Sequence, residues 1–212
     1  MEIKNLIFDF GKVLVDYDFM PVLHRYFKEN REEEAEFCKF FINQDFIDAC
    51  DREEIPFRDI IENAKRDNPR FAGALQFFYD NYADFVIGEM PGMRDMLIWL
   101  KNQGYKLYGL TNWCSAVHEV MERYGIFGLL DGTVISSEEH LLKPEPEIYR
   151  CVCERFGLKP EECLFTDDKP VNVEGAKAIG MNAVVFTDAV TYASDLRRFI
   201  RESQDKKGED RG

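Results

Sequence analysis

A doubly wound α/β fold, a Rossmann-like parallel sheet interrupted by an inserted block of helices, is what this sequence predicts. Three observations carry that reading. From Met90 onward, short apolar runs alternate with helical segments; those segments are followed by Gly104, Gly125, Gly157 and Gly180; and residues 18–88 keep a helical spacing that never alternates with strands. A glycine after a helix supplies the left-handed cap that turns the chain toward the next strand. Regular alternation of strand and helix implies right-handed crossovers between parallel strands.

The elements follow in order. Residues 3–10 (IKNLIFDF) are a short apolar run ending in an acid and a glycine, as a buried strand would. Residues 18–88 are charged and aromatic, with Phe71, Leu75, Phe78, Tyr79, Tyr82, Phe85 and Val86 at helical spacing, so they read as a small bundle inserted after the first strand. Helices are then expected at 92–102, 115–124, 145–156, 170–179 and 191–202, and strands at 105–110, 133–136, 163–166 and 182–186. This divides the chain into an α/β core of residues 1–17 and 89–203, a helical cap domain of 18–88, and a tail, 204–212, that has no apolar anchor and is expected to be mobile.

Composition narrows the function. A formal net charge of −13 repels nucleic acid and anionic membrane, so neither is an expected partner. MEIKNLIFDF lacks the layout of a secretory signal and no apolar run is long enough to span a bilayer, so the expected compartment is cytoplasmic. Several of the six cysteines sit in apolar stretches, where reduced thiols pack as small hydrophobes. Cys151 and Cys153 fall on different faces of one helical segment and do not form a metal pair.

In an open parallel sheet, ligands bind beyond the carboxyl ends of the strands. Three predicted strands end there in polar residues: LIFDFGKVL in Asp9, LYGLTN in Thr111 and Asn112, and CLFTDDKPVN in Asp167 and Asp168. A loop, LLKPEPEIY, adds Lys143. Two carboxylates about 4 Å apart repel by roughly 4 kcal/mol at an effective dielectric near 20, so three together hold either protons or a cation. Hard oxygen donors suit Mg²⁺. Asp9 is then placed as a nucleophile, Thr111 and the Asn112 amide as donors to phosphoryl oxygens, and Lys143 as the cation that neutralises both. Trp113 either lines the substrate pocket or anchors the start of the next helix. Asn172 either orients the metal site or packs its own helix.

The strings FDFGKVL, LTNW, KPEPEIY and FTDDKPVNVEGAKAIGM, in that order, resemble the four motifs of the haloacid dehalogenase-like (HAD) hydrolase superfamily. Within it, FDxGxVL, TNW and DDxxxNVEGA are most similar to the small sugar-phosphate phosphatases, the subgroup that includes α-glucose-1-phosphate phosphatase. The resemblance implies that Asp9 attacks phosphorus and that Thr111 and Lys143 hold the phosphoryl group. It also implies that Asp9, Asp167, Asp168 and the backbone carbonyl of Gly11 bind Mg²⁺, and that a helical cap lies between the first two motifs. One departure matters: the family's phosphatases usually carry a second Asp two positions after the nucleophile, as general acid and base, and this chain has Gly11 there, followed by Lys12. General acid–base help is worth about 10²- to 10⁴-fold. Slow turnover, or a preference for phosphates on good leaving groups, is therefore expected unless another group substitutes, with Asp16 and Asp18 as nearby candidates.

The expected activity is Mg²⁺-dependent hydrolysis of a small phosphorylated metabolite, a sugar phosphate in the first instance, by a monomer or homodimer. A dehalogenase using Asp9 on carbon would have no use for the Asp167–Asp168 pair. A mutase would need efficient proton transfer in both directions. The different-class alternative, motivated by Gly11, is a phospho-ligand sensor without turnover.

Overall fold

The computed structural model describes residues 2–209. Its centre is a five-stranded, all-parallel sheet. In chain order the sheet strands are β1 (Asn5–Phe8), β4 (Lys106–Thr111), β5 (Gly132–Ile135), β6 (Cys163–Asp167) and β7 (Asn182–Val185), and in space they run β5-β4-β1-β6-β7. Strand β1 thus sits in the middle, paired through Asn5–Phe8 with β4 on one side and β6 on the other. Alternate residues feed two apolar layers: Leu6 and Phe8 join Leu107 and Leu164 on one face, and Ile7 joins Leu110 and Phe165 on the other. All seven are fully buried, so neither face of the sheet is left to solvent around them.

Helices α6 (Met93–Asn102), α7 (Val117–Arg123), α9 (Pro146–Phe156), α10 (Pro170–Ala178) and α11 (Ala189–Glu209) connect or flank the strands, with a one-turn helix α8 (Ser136–Glu139) after β5. Gly104, Gly157 and Gly180 take positive φ after their helices, as the sequence predicts, but Gly125 does not. Helix α7 stops instead at an extended Tyr124, and the space a side chain on Gly125 would need is taken by the Arg94 guanidinium. The last helix runs to Glu209, past the end placed at 202. Residues 204–209, expected as a mobile tail, continue it because Gln204, Lys206, Lys207 and Glu209 prolong readily a helix already nucleated. Residues 210–212 of that expected tail lie outside the described residues.

Between β1 and α6 the chain builds the helical layer expected for 18–88: α1 (Met20–Phe27), α2 (Arg31–Phe41), α3 (Gln44–Arg52), α4 (Phe57–Asp67) and α5 (Ala72–Asp80). Its interior is aromatic: Phe41 stacks on Phe37, packs edge-on to Phe78 at 4.3 Å, and Phe78 in turn meets Phe85 at 4.8 Å. The stems of this insertion pair as an antiparallel ribbon, β2 (Val15–Tyr17) with β3 (Val86–Glu89). The sequence reading did not contain that ribbon. Three residues pairing with a partner some seventy positions away leave no periodic trace of their own.

Candidate active site

The three polar strand ends and the lysine loop converge at the carboxyl edge of the sheet. Pairing of β1 with β6 continues one residue beyond the strand, where the Asp9 amide donates to the Thr166 carbonyl at 2.9 Å, and this carries the Asp9 side chain to the edge. Lys143 Nζ lies 2.9 Å from Asp9 Oδ1 and 2.6 Å from Asp167 Oδ2, and also donates to the Leu110 carbonyl at 3.0 Å. Lys143 is only 4% exposed, so all three bonds are made away from bulk water. Its loop is clamped by Asn112, whose amide accepts from Lys143 N at 2.8 Å and donates to Lys143 O at 3.0 Å.

Ligand oxygens of Asp9, Asp167 and Asp168 all lie within 4.8 Å of one another. Burial, reinforced by the charges of Asp167 and Asp168 and opposed by Lys143, pushes the Asp9 carboxyl up to about 7. Burial and the Asp167 charge likewise raise Asp168. Burial works against the Lys143 ammonium, but Asp167 and Asp9 outweigh it and hold the lysine protonated beyond its ordinary range. The cluster keeps an excess of negative charge after Lys143 is counted, and its donors are hard carboxylate oxygens, so the residues present fit a divalent cation such as Mg²⁺.

The three acids are not equivalent. Asp167 is fully buried and its oxygens accept from Lys143 Nζ, from Asn172 Nδ2 at 3.0 and 3.1 Å, and from the Lys169 amide at 2.8 Å. Asn172 therefore orients Asp167. Asp9 Oδ1 takes the Phe10 amide at 2.7 Å as well as Lys143, leaving Oδ2 without a protein partner among the described residues. Thr111 Oγ1 is buried with no hydrogen-bond partner among the described residues. A buried hydroxyl without a partner is costly unless a ligand completes it.

Above this edge sits a cavity of about 170 Å³, lined by Asp9, Gly11, Thr111, Asn112, Trp113, Lys143 and Asp168 from below. Trp113 lines the cavity, the first of the two places the sequence left open, and its indole N–H donates to Tyr82 Oη of the cap layer at 2.6 Å rather than to the start of the next helix. Among the aromatic residues of the cap, Phe19, Phe46 and Tyr82 line the cavity, while Tyr79 packs on Phe57 outside it. Asp16 and Asp18 do not face it. Asp16 pairs with Lys12, and Asp18 caps the start of α1 through the Met20 amide. His140 is also turned away, exchanging bonds with Arg52, and His24 and His118 pair with Glu34 and Glu138.

Gly11 is a close-approach position. A Cβ there would lie 2.9 Å from Cε1 of Tyr17, so the aromatic ring occupies the space that an acid at this position would use. Gly11→Ala is expected to destabilise by about 1–3 kcal/mol, as overpacking does, read as a lower urea midpoint. Two cavity residues were invisible in the sequence. Tyr17 lies in the unforeseen ribbon, and Asp51 lies in the last turn of α3, in a segment, DACDREE, that reads as an ordinary solvated helix terminus.

The family model for haloacid dehalogenase-like hydrolases matches residues 3–180. A sesquiterpene phosphatase of Aspergillus oryzae is 33% identical over 109 residues, 51% of this chain and 56% of that protein. A phosphorylated carbohydrates phosphatase of Thermotoga maritima is 26% identical over 194 residues, 85% of this chain and 83% of that one. The first curated relatives are matched over 44%, 56% and 50% of their lengths, so the chain spans about half of each. Among solved structures, a HAD family enzyme of Bacteroides thetaiotaomicron in complex with magnesium and inorganic phosphate superposes with a TM-score of 0.71 at 22% identity, over 88% of this chain and 96% of that one. With a match across most of its length and the four motifs gathered at one sheet edge, the chain belongs to the haloacid dehalogenase-like hydrolase family.

Proposed function

We propose that this protein is a Mg²⁺-dependent phosphomonoester hydrolase that transfers a phosphoryl group to Asp9 and then to water. The observation that carries the reading is the buried lysine held between two carboxylates, beside a threonine hydroxyl with no partner, at the floor of one cavity. Asp9 Oδ2 is the attacking oxygen, since Oδ1 is held by Lys143 and the Phe10 amide. Thr111 and Lys143 hold the phosphoryl oxygens. Asp168 and Asp9 would hold the metal with the Gly11 carbonyl, and Asp167 serves chiefly to hold Lys143 in place. When bound, Mg²⁺ supplies charge neutralisation to the nucleophile and the phosphoryl group.

The cavity volume fits a small metabolite rather than a polymer end. Its upper wall is aromatic, with Phe19, Phe41, Phe46 and Phe78 facing the space. A sugar phosphate is the first reading, in keeping with the carbohydrate phosphatase relative. The wall favours a second, a monoester whose organic half has an apolar face, because ring carbons leave sugar hydroxyls unsatisfied. A phosphate-release screen with glucose 1-phosphate, farnesyl phosphate and 4-nitrophenyl phosphate, each with and without Mg²⁺, tests both. Release without metal overturns the Mg²⁺ dependence, and release from none of the panel overturns the phosphatase reading.

The raised Asp9 carboxyl has a consequence for metal binding. Its proton is held more tightly in the folded protein than in the unfolded chain, so that contribution to stability is full below about pH 4 and is lost as pH rises through about 7. A cation at the same oxygens replaces the proton. Added Mg²⁺ is therefore expected to raise the melting temperature more at about pH 8 than at about pH 5. Equal shifts at both would remove Asp9 from the ligand set.

A further inference from the structure

We propose that Asp51, on the cap, protonates the leaving oxygen and then activates water, the service that glycine at position 11 cannot give. The proposal rests on the phosphatase reading and goes beyond it in naming the acid and base.

Elimination leads to this residue first. Three carboxylates line the cavity: Asp9, Asp51 and Asp168. Asp9 is bonded to Lys143 and serves as nucleophile, and Asp168 stands beside it as cation ligand. The position two residues after Asp9 has no side chain, and the Tyr17 ring fills its place. Asp16 and Asp18 are occupied elsewhere. Asp51 remains, approaching from the cap, on the side of the cavity opposite the sheet edge.

Its attachment is the second argument. The Asp51 carbonyl accepts from Ser136 Oγ at 2.5 Å, and that serine also receives the Trp113 amide at 2.9 Å, which ties the end of α3 directly to the chain after Thr111. On the next residue, Arg52 donates to the His140 carbonyl at 3.0 Å and pairs with Glu145, both in the loop that carries Lys143. Glu53 accepts from Ser115 N at 2.6 Å and Ser115 Oγ at 2.8 Å. Three consecutive residues are thus pinned to the two core segments that supply the phosphoryl-binding groups. The Asp51 carboxyl itself forms no hydrogen bond or ion pair among the described residues. A rigid backbone with a free carboxyl facing the reaction space is the arrangement proton transfer requires.

The electrostatic setting agrees. Asp51 keeps part of its surface on the cavity but is enclosed by protein, and burial pushes its carboxyl up to about 7; Lys169 and Lys143 pull it down, Asp48 and Asp9 push it up. Tyr17, Tyr82, Cys50 and Cys114 also face it, and burial holds all four above their ordinary range and neutral. The step balances. Asp9 Oδ2 forms a bond to phosphorus as the P–O bond to the leaving group breaks, and the Asp51 proton passes to the leaving oxygen to give the alcohol. The Asp51 carboxylate next takes a proton from water as the water oxygen bonds to phosphorus and the bond to Asp9 breaks, which releases phosphate and restores the acid. The leaving-group preference inferred from Gly11 alone is then not expected in the wild type.

The test is kcat/KM over substituted aryl phosphates from 4-nitrophenyl to phenyl, which differ in leaving-group basicity but little in shape. Wild type is expected to vary weakly across the series. Asp51→Asn should lose about 10²- to 10⁴-fold on phenyl phosphate but less than about tenfold on 4-nitrophenyl phosphate, whose oxygen needs no proton. In the variant a rapid burst of 4-nitrophenol should precede slow turnover, since release of phosphate from Asp9 has lost its base. Asp51→Ser is read in the same way if the Asn variant does not fold. Equal loss along the series in a folded variant overturns the role of Asp51 alone. A wild type that hydrolyses none of the series with Mg²⁺ present overturns the phosphatase reading, and this proposal with it.

Discussion

Asp9→Asn is expected to lower phosphate release by at least about 10⁴-fold, the scale on which loss of an enzymic nucleophile is measured. An amide oxygen does not attack phosphorus at a useful rate, and no neighbour can take over. Asp167 is saturated by Lys143, Asn172 and the Lys169 amide, and Asp168 lies on the metal side of the cluster. The fold should tolerate the change, because Asn keeps the shape and its carbonyl can still accept from the Phe10 amide and Lys143. Trapping with a slowly hydrolysed substrate, followed by intact-mass measurement, should show a phosphorylated wild type and an unmodified variant. A variant that still turns over would dismiss Asp9 as nucleophile. A wild type that binds phosphate yet never acquires the added mass, even at high enzyme concentration, would support the sensor reading.

Lys143→Met should be the most destabilising single change at the site. It leaves Asp167 buried without its cation while removing one partner of Asp9. Breaking a buried ion pair from one side typically costs about 3–5 kcal/mol, because the remaining charge is stranded in a low dielectric. Urea unfolding in the absence of metal should show that loss as a lower midpoint at unchanged slope. Lys143→Met combined with Asp167→Asn should recover part of the stability, since the stranded charge is gone, but none of the activity. A single variant within about 1 kcal/mol of wild type would mean that Asp167 does not depend on the lysine.

Much of this site was legible in the linear chain because each contributor ends a short apolar strand or sits in a proline-marked loop. Parallel strands bring such ends to one edge whatever the details of packing. Asp9, Thr111, Lys143, Asp167 and Asp168 are all of this kind. The division of labour among them was not legible. Two adjacent acids in FTDD look interchangeable as letters, and only their hydrogen bonds separate the one that holds Lys143 from the one with free oxygens. Asn112 and Asn172 likewise spend their amides on Lys143 and Asp167, bonds that cross some thirty and five positions of sequence.

By itself the sequence determined the parallel α/β core, the inserted helical layer and the residues at the sheet edge, because apolar periodicity and strand-end chemistry are local properties. Only the tertiary structure decided what lies opposite that edge. Tyr17 against Gly11, the aromatic wall and the free carboxyl of Asp51 meet the core through contacts between segments distant in sequence. Such contacts are set by how the cap's buried rings pack and where Ser136, Ser115 and Glu145 pin it. Neither leaves a period in the sequence.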